Sequence, residues 1–289
     1  MDKALLSVLA GLGGMLGWGI ADFLASLFSK KIGYFKTFFW SQLAGLVFVI
    51  LLGIVFLTNF HLPSLMLLLL PIAAIFHAGA YLFFYKAFEL GNILVVSATI
   101  NLWVVFTIFF AFIFLDQRLS ALQFLGIAMI IAGVTLVSLK WSDIKNQNWH
   151  RLIGVKETII SAFLFGVFWT LSDVITSQIG WLPTTIFVKV GVILFLLIFS
   201  FLVKHKLTLS GATTSTKRII VLIGILDAAA IASVNWGLTI GDAILIIPIS
   251  SAVTIVTVTL ALIFLKESVT KTQGLGIVTA VMGIALTAF

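Results

Sequence analysis

Residues 121–139, ALQFLGIAMIIAGVTLVSL, and residues 271–289, KTQGLGIVTAVMGIALTAF, decide how this chain is read. At an offset of 150, Gln123, Leu125, Gly126, Ile127, Gly133 and Leu136 fall on Gln273, Leu275, Gly276, Ile277, Gly283 and Leu286. Shared apolar composition does not generate an ungapped Gln-x-Leu-Gly-Ile with a second common glycine at the same distance; an internal duplication does. The same offset carries Gly91, Thr107, Ala111 and Ile113-Phe114-Leu115 onto Gly241, Thr257, Ala261 and Ile263-Phe264-Leu265. Further upstream the match is looser. Trp18-x-x-x-Asp22 lies on Trp169-x-x-x-Asp173, and after a small gap Ile32-Gly33 lies on Ile179-Gly180.

The duplicated unit is a membrane unit. Of 289 residues 62% are hydrophobic and only 9% charged, where a soluble domain carries about a quarter charged. So few charges cannot cover a surface that faces water. Apolar stretches near spanning length fall at 4–28, 37–57, 64–85, 93–115, 121–139, 157–178, 183–203, 218–239, 243–265 and 273–289. The first of them follows directly on Met1-Asp2-Lys3, outlasts a signal-peptide core and lacks a small-residue cleavage site, so it reads as a permanent helix. Breaks between stretches are short, which implies antiparallel hairpins. The longest polar segment, 140–156, divides the chain into a first five-helix repeat (1–139) and a second (157–289).

Five is odd, so the second copy must sit upside down relative to the first. The loop charges agree, because only one loop of each equivalent pair can be cytoplasmic. Lys30, Lys31 and Lys36 stand at the first loop of copy one, and its counterpart has no basic residue. The second loop of copy one has none, where its counterpart has Lys204, Lys206, Lys217 and Arg218. Adding Lys86, the central Lys140, Lys145, Arg151 and Lys156, and Lys266 and Lys271, one side collects 14 basic residues and the other only Lys3 and Arg118. The expected fold is an all-α integral membrane protein of about ten transmembrane helices, built as two inverted five-helix repeats. That is a transporter architecture, with its site near the midplane between the copies.

An ionisable group inside a spanning helix costs at least about 2.5–3.5 kcal/mol, which makes each one a functional candidate. Mid-helix stand Asp22, His77, Asp173, Lys189 and Asp227. The repeat pairs Asp22 with Asp173, His77 with Asp227 and Gln42 with Lys189, so each pair is expected at mirrored depths. Helical spacing adds Tyr81 on the face of His77, Asn235 on the face of Asp227, and Trp18 and Trp169 on the faces of Asp22 and Asp173. Asn101 reads as an interhelical hydrogen-bonder. Blander roles stand beside these. Asp22 and Asp173 could cap neighbouring helices or pair with loop lysines, His77 could donate to a carbonyl, and Lys189 could snorkel to the interface. Asp116, Arg118, Lys266 and Glu267 sit at turns and read as turn-closing. His77 and Asp227, one able to be cationic and the other anionic, are expected to face one cavity and to bind each other when it is empty.

At this point the residues resemble the EamA-type transporters of the drug/metabolite transporter superfamily. Ile263-Phe264-Leu265-Lys266-Glu267-Ser268-Val269-Thr270, followed by Gln273-Gly274-Leu275-Gly276 and Gly283, is similar to that family's Leu-x-Glu-x-x-(Ser/Thr)…Gln-x-x-Gly…Gly signature. Pro248 and the Trp18-Gly19 pair also fit. Copy one departs, with Asp116 and Gln117 where the glutamate would fall and Ala98 in place of the proline. The resemblance implies a transporter with both termini in the cytoplasm, whereas the charge bias places both outside.

The leading function is therefore secondary transport of a small organic metabolite, such as an amino acid, sugar, nucleoside or drug-like compound, by a multi-pass protein of the cell membrane. Protons are a candidate coupling ion. The chain carries no Gly-x-x-x-x-Gly-Lys-(Ser/Thr), His-Glu-x-x-His or Gly-x-Ser-x-Gly, so neither an ATP site nor a familiar hydrolase site is written in it. A membrane-embedded enzyme or an accessory subunit remains the alternative class. His61, His77, His150 and His205 show no metal-ligand spacing, cysteine is absent, and no stretch forms a basic domain for nucleic acid. No cofactor or metal is expected. The partners expected are the small-molecule substrate and membrane lipid, for a monomer or homodimer.

Overall fold

A bilayer offers no partner to a backbone N–H or C=O, so an apolar chain of this kind must close its hydrogen bonds within helices. A computed structural model describes residues 3–57, 60–91, 93–138, 153–264 and 271–287. Among these, helices account for every regular element. They are α1 (Lys3–Ile32), α2 (Tyr34–Phe56), α3 (Met66–Leu90), α4 (Ile93–Thr99), α5 (Leu102–Phe114), α6 (Ala121–Ser138), α7 (Val155–Ile179), α8 (Trp181–Val203), α9 (Thr214–Leu238), α10 (Ala243–Ser251), α11 (Val253–Phe264) and α12 (Lys271–Thr287). Counting α4–α5 and α10–α11 as one span each gives ten spans. Eight are long and apolar enough to cross a membrane by themselves, and α6 and α12 are shorter apolar helices. Ile54, Phe114 and Phe201 are 78%, 71% and 83% exposed on the outer faces. Such side chains belong against lipid. The central polar segment from 140 to Arg151, and Lys266, Glu267 and Ser268, lie outside the described residues.

The glycines of the two quoted stretches pack α6 against α12. A methyl group on Gly133 would stand 2.5 Å from the Ala280 amide nitrogen and 2.6 Å from the Gly276 carbonyl oxygen, and one on Gly283 would stand 2.6 Å from the Gly126 carbonyl oxygen. Gly126 thus meets Gly283 while Gly133 meets Gly276. The partner's numbering falls as the first rises, so the equivalent helices run antiparallel. Two pairs of equivalent residues touch: Trp18 and Trp169, with ring centroids 5.4 Å apart, and Gln42 and Lys189, 2.9 Å apart. Equivalent positions in two copies meet only on the axis that relates them. These contacts therefore mark a pseudo-two-fold axis, and the repeats are inverted about it. The first helix of each copy packs on the third of the other: Ser161 donates to the Ala80 carbonyl at 2.8 Å, and Ser233 to that of Ala10 at 3.0 Å.

The sequence reading has one unbroken fourth helix in each copy, and the structure has two halves. Between α4 and α5 the Trp103 amide bonds to the Ile100 carbonyl, and between α10 and α11 the Ile255 amide bonds to that of Ala252. Both are three-residue steps that replace the α-helical four. Pro248 also removes one donor from α10. Side chains take up the carbonyls so released. Asn101 Nδ2 donates to Ser97 O, Ser251 Oγ to Pro248 O, and Thr254 Oγ1 to Ser97 O. Asn101 Nδ2 reaches Thr254 Oγ1 at 3.0 Å, so the two breaks touch. At the α5–α6 turn Arg118 pairs with Asp116, as expected of turn-closing residues. Ser120 and Gln123 there form a reciprocal capping box that starts α6.

The glycine contacts generate a direct test. Gly133→Val should lower the melting temperature in detergent, at a cost of about 1–3 kcal/mol or more from overpacking against backbone. Gly274→Ala, whose methyl would meet nothing within 4 Å, should be neutral or gain about 0.5–1 kcal/mol.

Candidate functional site

The deepest charges lie beside the pseudo-axis. Lys189 on α8 and Asp227 on α9 form an ion pair with Nζ and Oδ2 2.9 Å apart, both side chains all but sealed from outside. Gln42 on α2 accepts from Lys189 Nζ at 2.9 Å through Oε1 and donates Nε2 to Asp227 Oδ2 at 2.9 Å. Tyr81 on α3 donates its hydroxyl to Asp227 Oδ1 at 2.6 Å. One carboxylate thus receives three donors, from helices of both copies, and the lysine does not snorkel. The room for it comes from Gly45 on α2. A methyl there would stand 3.2 Å from Lys189 Nζ and 2.7 Å from the Gly224 carbonyl oxygen.

His77 departs from expectation. It is fully buried, and neither ring nitrogen finds a hydrogen-bond partner among the described residues. Its ring packs on Phe168 and Tyr81, with centroids 4.4 and 4.9 Å away. The expected pairing with Asp227 is replaced by that of Lys189, because Lys189 and Asp227 face one another from adjacent helices of the same copy. His77 stands where the repeat places the equivalent of Asp227, within electrostatic reach of both Lys189 and Asp227. An imidazolium there would have no acceptor among the described residues.

Beside this network lies a cavity of about 40 Å³, with room for about three waters. Trp18, Tyr81, Phe84, Trp103, Phe165 and Trp169 line it, together with Asp22, Ile100 and Val253. The three indoles touch pairwise, at 5.4 to 6.2 Å between centroids. Both helix breaks contribute, Ile100 and Trp103 from one and Val253 from the other. Discontinuous helices at mid-depth are where inverted-repeat transporters place their sites.

Not every expected residue gathers here. Trp18 and Trp169 meet on the axis, but one turn beyond them, about 6 Å along antiparallel helices, Asp22 and Asp173 diverge toward opposite faces. Asp22 joins the aromatic cavity on the lysine-rich side. Asp173 lines a separate pocket of about 370 Å³ with Gln117, Gly241 and Asp242, where Gln117 donates to its carboxylate and accepts from the Ile244 amide. Asn235 lies outside the central cavity's lining. It accepts from Ser172 Oγ and donates to Thr185 Oγ1, both at 2.9 Å, tying α7, α8 and α9 together. Asn101 clasps the two helix breaks. The sequence reading left out Trp103 and Phe165. Phe165 precedes Trp169 by one turn on the same face of α7, and Trp103 and Val253 are related by the offset of 150, so both signals were present.

The fold and site define a multi-pass membrane protein of two inverted repeats around a small buried cavity. The EamA-like transporter family matches residues 5–139 and again 152–289, and the chain belongs to this family, within the drug/metabolite transporter superfamily. Comparison with curated proteins gives no match. A solved structure described only as a crystal structure of a protein is similar at a TM-score of 0.75 and 18% identity, over 97% of this chain and 96% of that one. At that identity the likeness speaks for the fold.

The ion pair makes its own prediction. Lys189→Met should cost about 3–5 kcal/mol of stability in detergent melts by leaving Asp227 uncompensated. Lys189→Met combined with Asp227→Leu should regain most of that loss.

Proposed function

We propose that this chain is a secondary transporter that carries a small organic metabolite by alternating access through the aromatic cavity between its repeats. The observation that carries the reading is the coincidence, at one pseudo-two-fold axis, of the cavity, both helix breaks and the only deeply buried ion pair among the described residues. Inverted repeats around such a site can rock so that it faces one side and then the other. The polar network supplies a place for coupling. Gln42 bonds to Asp227, and the repeat makes Lys189 and His77 the equivalent pair of positions. In the opposite state Lys189 turns toward His77, and Asp227, freed of its cation, takes a proton or a cationic group from the cargo. No step in this cycle makes or breaks a covalent bond in the cargo.

We also propose that the lysine-rich face is cytoplasmic, which puts both termini outside. The chain has no cysteine, so single cysteines can be placed freely. Ser64→Cys should react in intact cells with an impermeant thiol reagent, while Ser210→Cys and Thr214→Cys should resist it. The reverse pattern overturns the orientation.

For the transport reading, a thermal-shift screen over amino acids, sugars, nucleosides and amines would supply a cargo for flux measurements in liposomes. Asp227→Asn should slow flux at least tenfold and flatten its pH dependence between about pH 5 and 8, and His77→Ala, which removes the group toward which Lys189 turns in the opposite state, should slow it as well. If both variants fold and match the parent rate across that range, these residues are packing features and the coupling scheme is wrong.

A further inference from the structure

Asp22 is the one carboxyl group of the buried centre without a partner among the described residues. It is 8% exposed, that exposure opens into the aromatic cavity, and among the described residues it makes no hydrogen bond or ion pair. No lysine or arginine among the described residues pairs with it. Lys189 is held by Asp227 and Gln42. Lys30 and Lys31 lie two turns further along α1 at its end, where Lys31 donates to Thr216 Oγ1 at 3.4 Å. Lys189 is already balanced by Asp227, so an ionised Asp22 would have no counter-charge in the centre of the bundle. A lone carboxylate in such surroundings is costly, and the chain keeps it against a wall of π-faces.

Those faces make an enclosure. Trp18, Trp103 and Trp169 form a triangle, Phe165 stands 6.3 Å from Trp103, and Tyr81 stands 4.9 Å from Phe165. Aromatic walls of this kind attract a weakly hydrated cation through their quadrupoles, tryptophan most of all. They do not suit a metal ion. Ca²⁺ or Mg²⁺ wants six or more oxygen ligands, and the side chains around this cavity offer the Asp22 carboxylate and the Tyr81 hydroxyl. Nor do they suit an anion, which would meet Asp22 directly. Trp18 Nε1, buried and unpartnered among the described residues, adds a donor for a polar group attached to such a cation.

We infer that the cavity recognises the cationic head of an organic amine or quaternary ammonium compound, with Asp22 as its counter-ion and the Trp18–Trp103–Trp169 triangle as its cage. The inference rests on the transporter reading in taking this cavity as the cargo site. At about 40 Å³ the cavity is head-sized, so the rest of a larger cargo enters as the repeats part.

The test uses purified full-length protein in nanodiscs, with choline and benzyltrimethylammonium as probes and choline's neutral carbon isostere, dimethylbutanol, as control. Tryptophan fluorescence reads the cage directly, and thermal shift reads binding independently. Both cations should quench the fluorescence and raise the melting temperature, and the isostere should do neither at tenfold higher concentration. Asp22→Asn should melt at or above the parent temperature and lose at least tenfold in affinity, whereas Asp22→Glu should keep most of it. Equal binding of the isostere, or parent affinity in Asp22→Asn, overturns the proposal. If Asp22→Asn does not fold, the comparison of cation with isostere on the parent protein decides alone. Failure of every cation to bind, while liposomes loaded with the parent protein move a neutral or anionic metabolite, sinks the cation assignment and leaves the transporter reading standing. Absence of flux for all classes, cations included, sinks the transporter reading itself.

Discussion

Two opposite charges in lipid must find one another, and the Lys189–Asp227 contact organises the centre of this molecule. Either residue alone would bear most of the penalty of an unpaired charge at membrane depth. Together, with Gln42 and Tyr81 filling their remaining positions, they form a closed polar unit that an apolar core can surround. The unit draws on α2, α3, α8 and α9, so it fastens the two repeats at the axis between them. Gly45 and Gly224 bring α2 and α9 close enough for this to happen. Mutual satisfaction of a few groups thus takes the role that a broad hydrophobic interface has in water, where lipid tails give helices no reason to associate.

The frame is symmetric and its chemistry is not. At equivalent places copy one carries Gln42 and His77 and copy two carries Lys189 and Asp227. Copy one carries Asn101 at its helix break, and copy two carries Pro248 and Thr254 near its own. The duplicated glycines keep the geometry of the α6–α12 crossing common to both copies, while the buried polar positions have diverged. A purely structural duplication gains nothing from that divergence, since each lone ionisable group is a cost. A site that must hold one asymmetric molecule at a two-fold axis gains from it directly, because its two ends then meet different groups.

The repeat, the ten spans and the set of buried polar residues were all legible in the sequence, since each depends on composition, period and offset. What was not legible depended on partners far along the chain. The broken helices follow from Asn101 meeting Thr254, residues 153 apart, and no local propensity encodes that meeting. Asp22 and Asp173 were expected at mirrored depths, and that equivalence does not bring them into one cavity. Under inversion, a residue one turn past the axis moves away from its mate, and only residues at the axis, such as Trp18 and Trp169, stay together. The expected pairing of His77 with Asp227 failed for a related reason. Equivalent residues off the axis share a depth, and the carboxylate's partner was decided by which donor could reach it, Lys189 on the adjacent helix.

The place of the cavity also follows from backbone chemistry. Where α4 gives way to α5, and α10 to α11, carbonyls lose their helical donors, and hydrocarbon can replace none of them. Such breaks are tolerable only inside the protein, against side chains that hydrogen-bond, and Asn101, Ser251 and Thr254 are those side chains. The two breaks must therefore face each other across the interior. A chain interrupted in this way packs less completely than a continuous helix, and large rigid rings fill the remaining space without adding backbone demands. Trp103 and Val253 enter the cavity from the first residues past their breaks, and Trp18 and Trp169 close it from the axis. The aromatic enclosure, the carboxylate that looks into it and the hinge-like breaks in its walls thus share one location because the same shortage of hydrogen-bond partners in the bilayer puts them there.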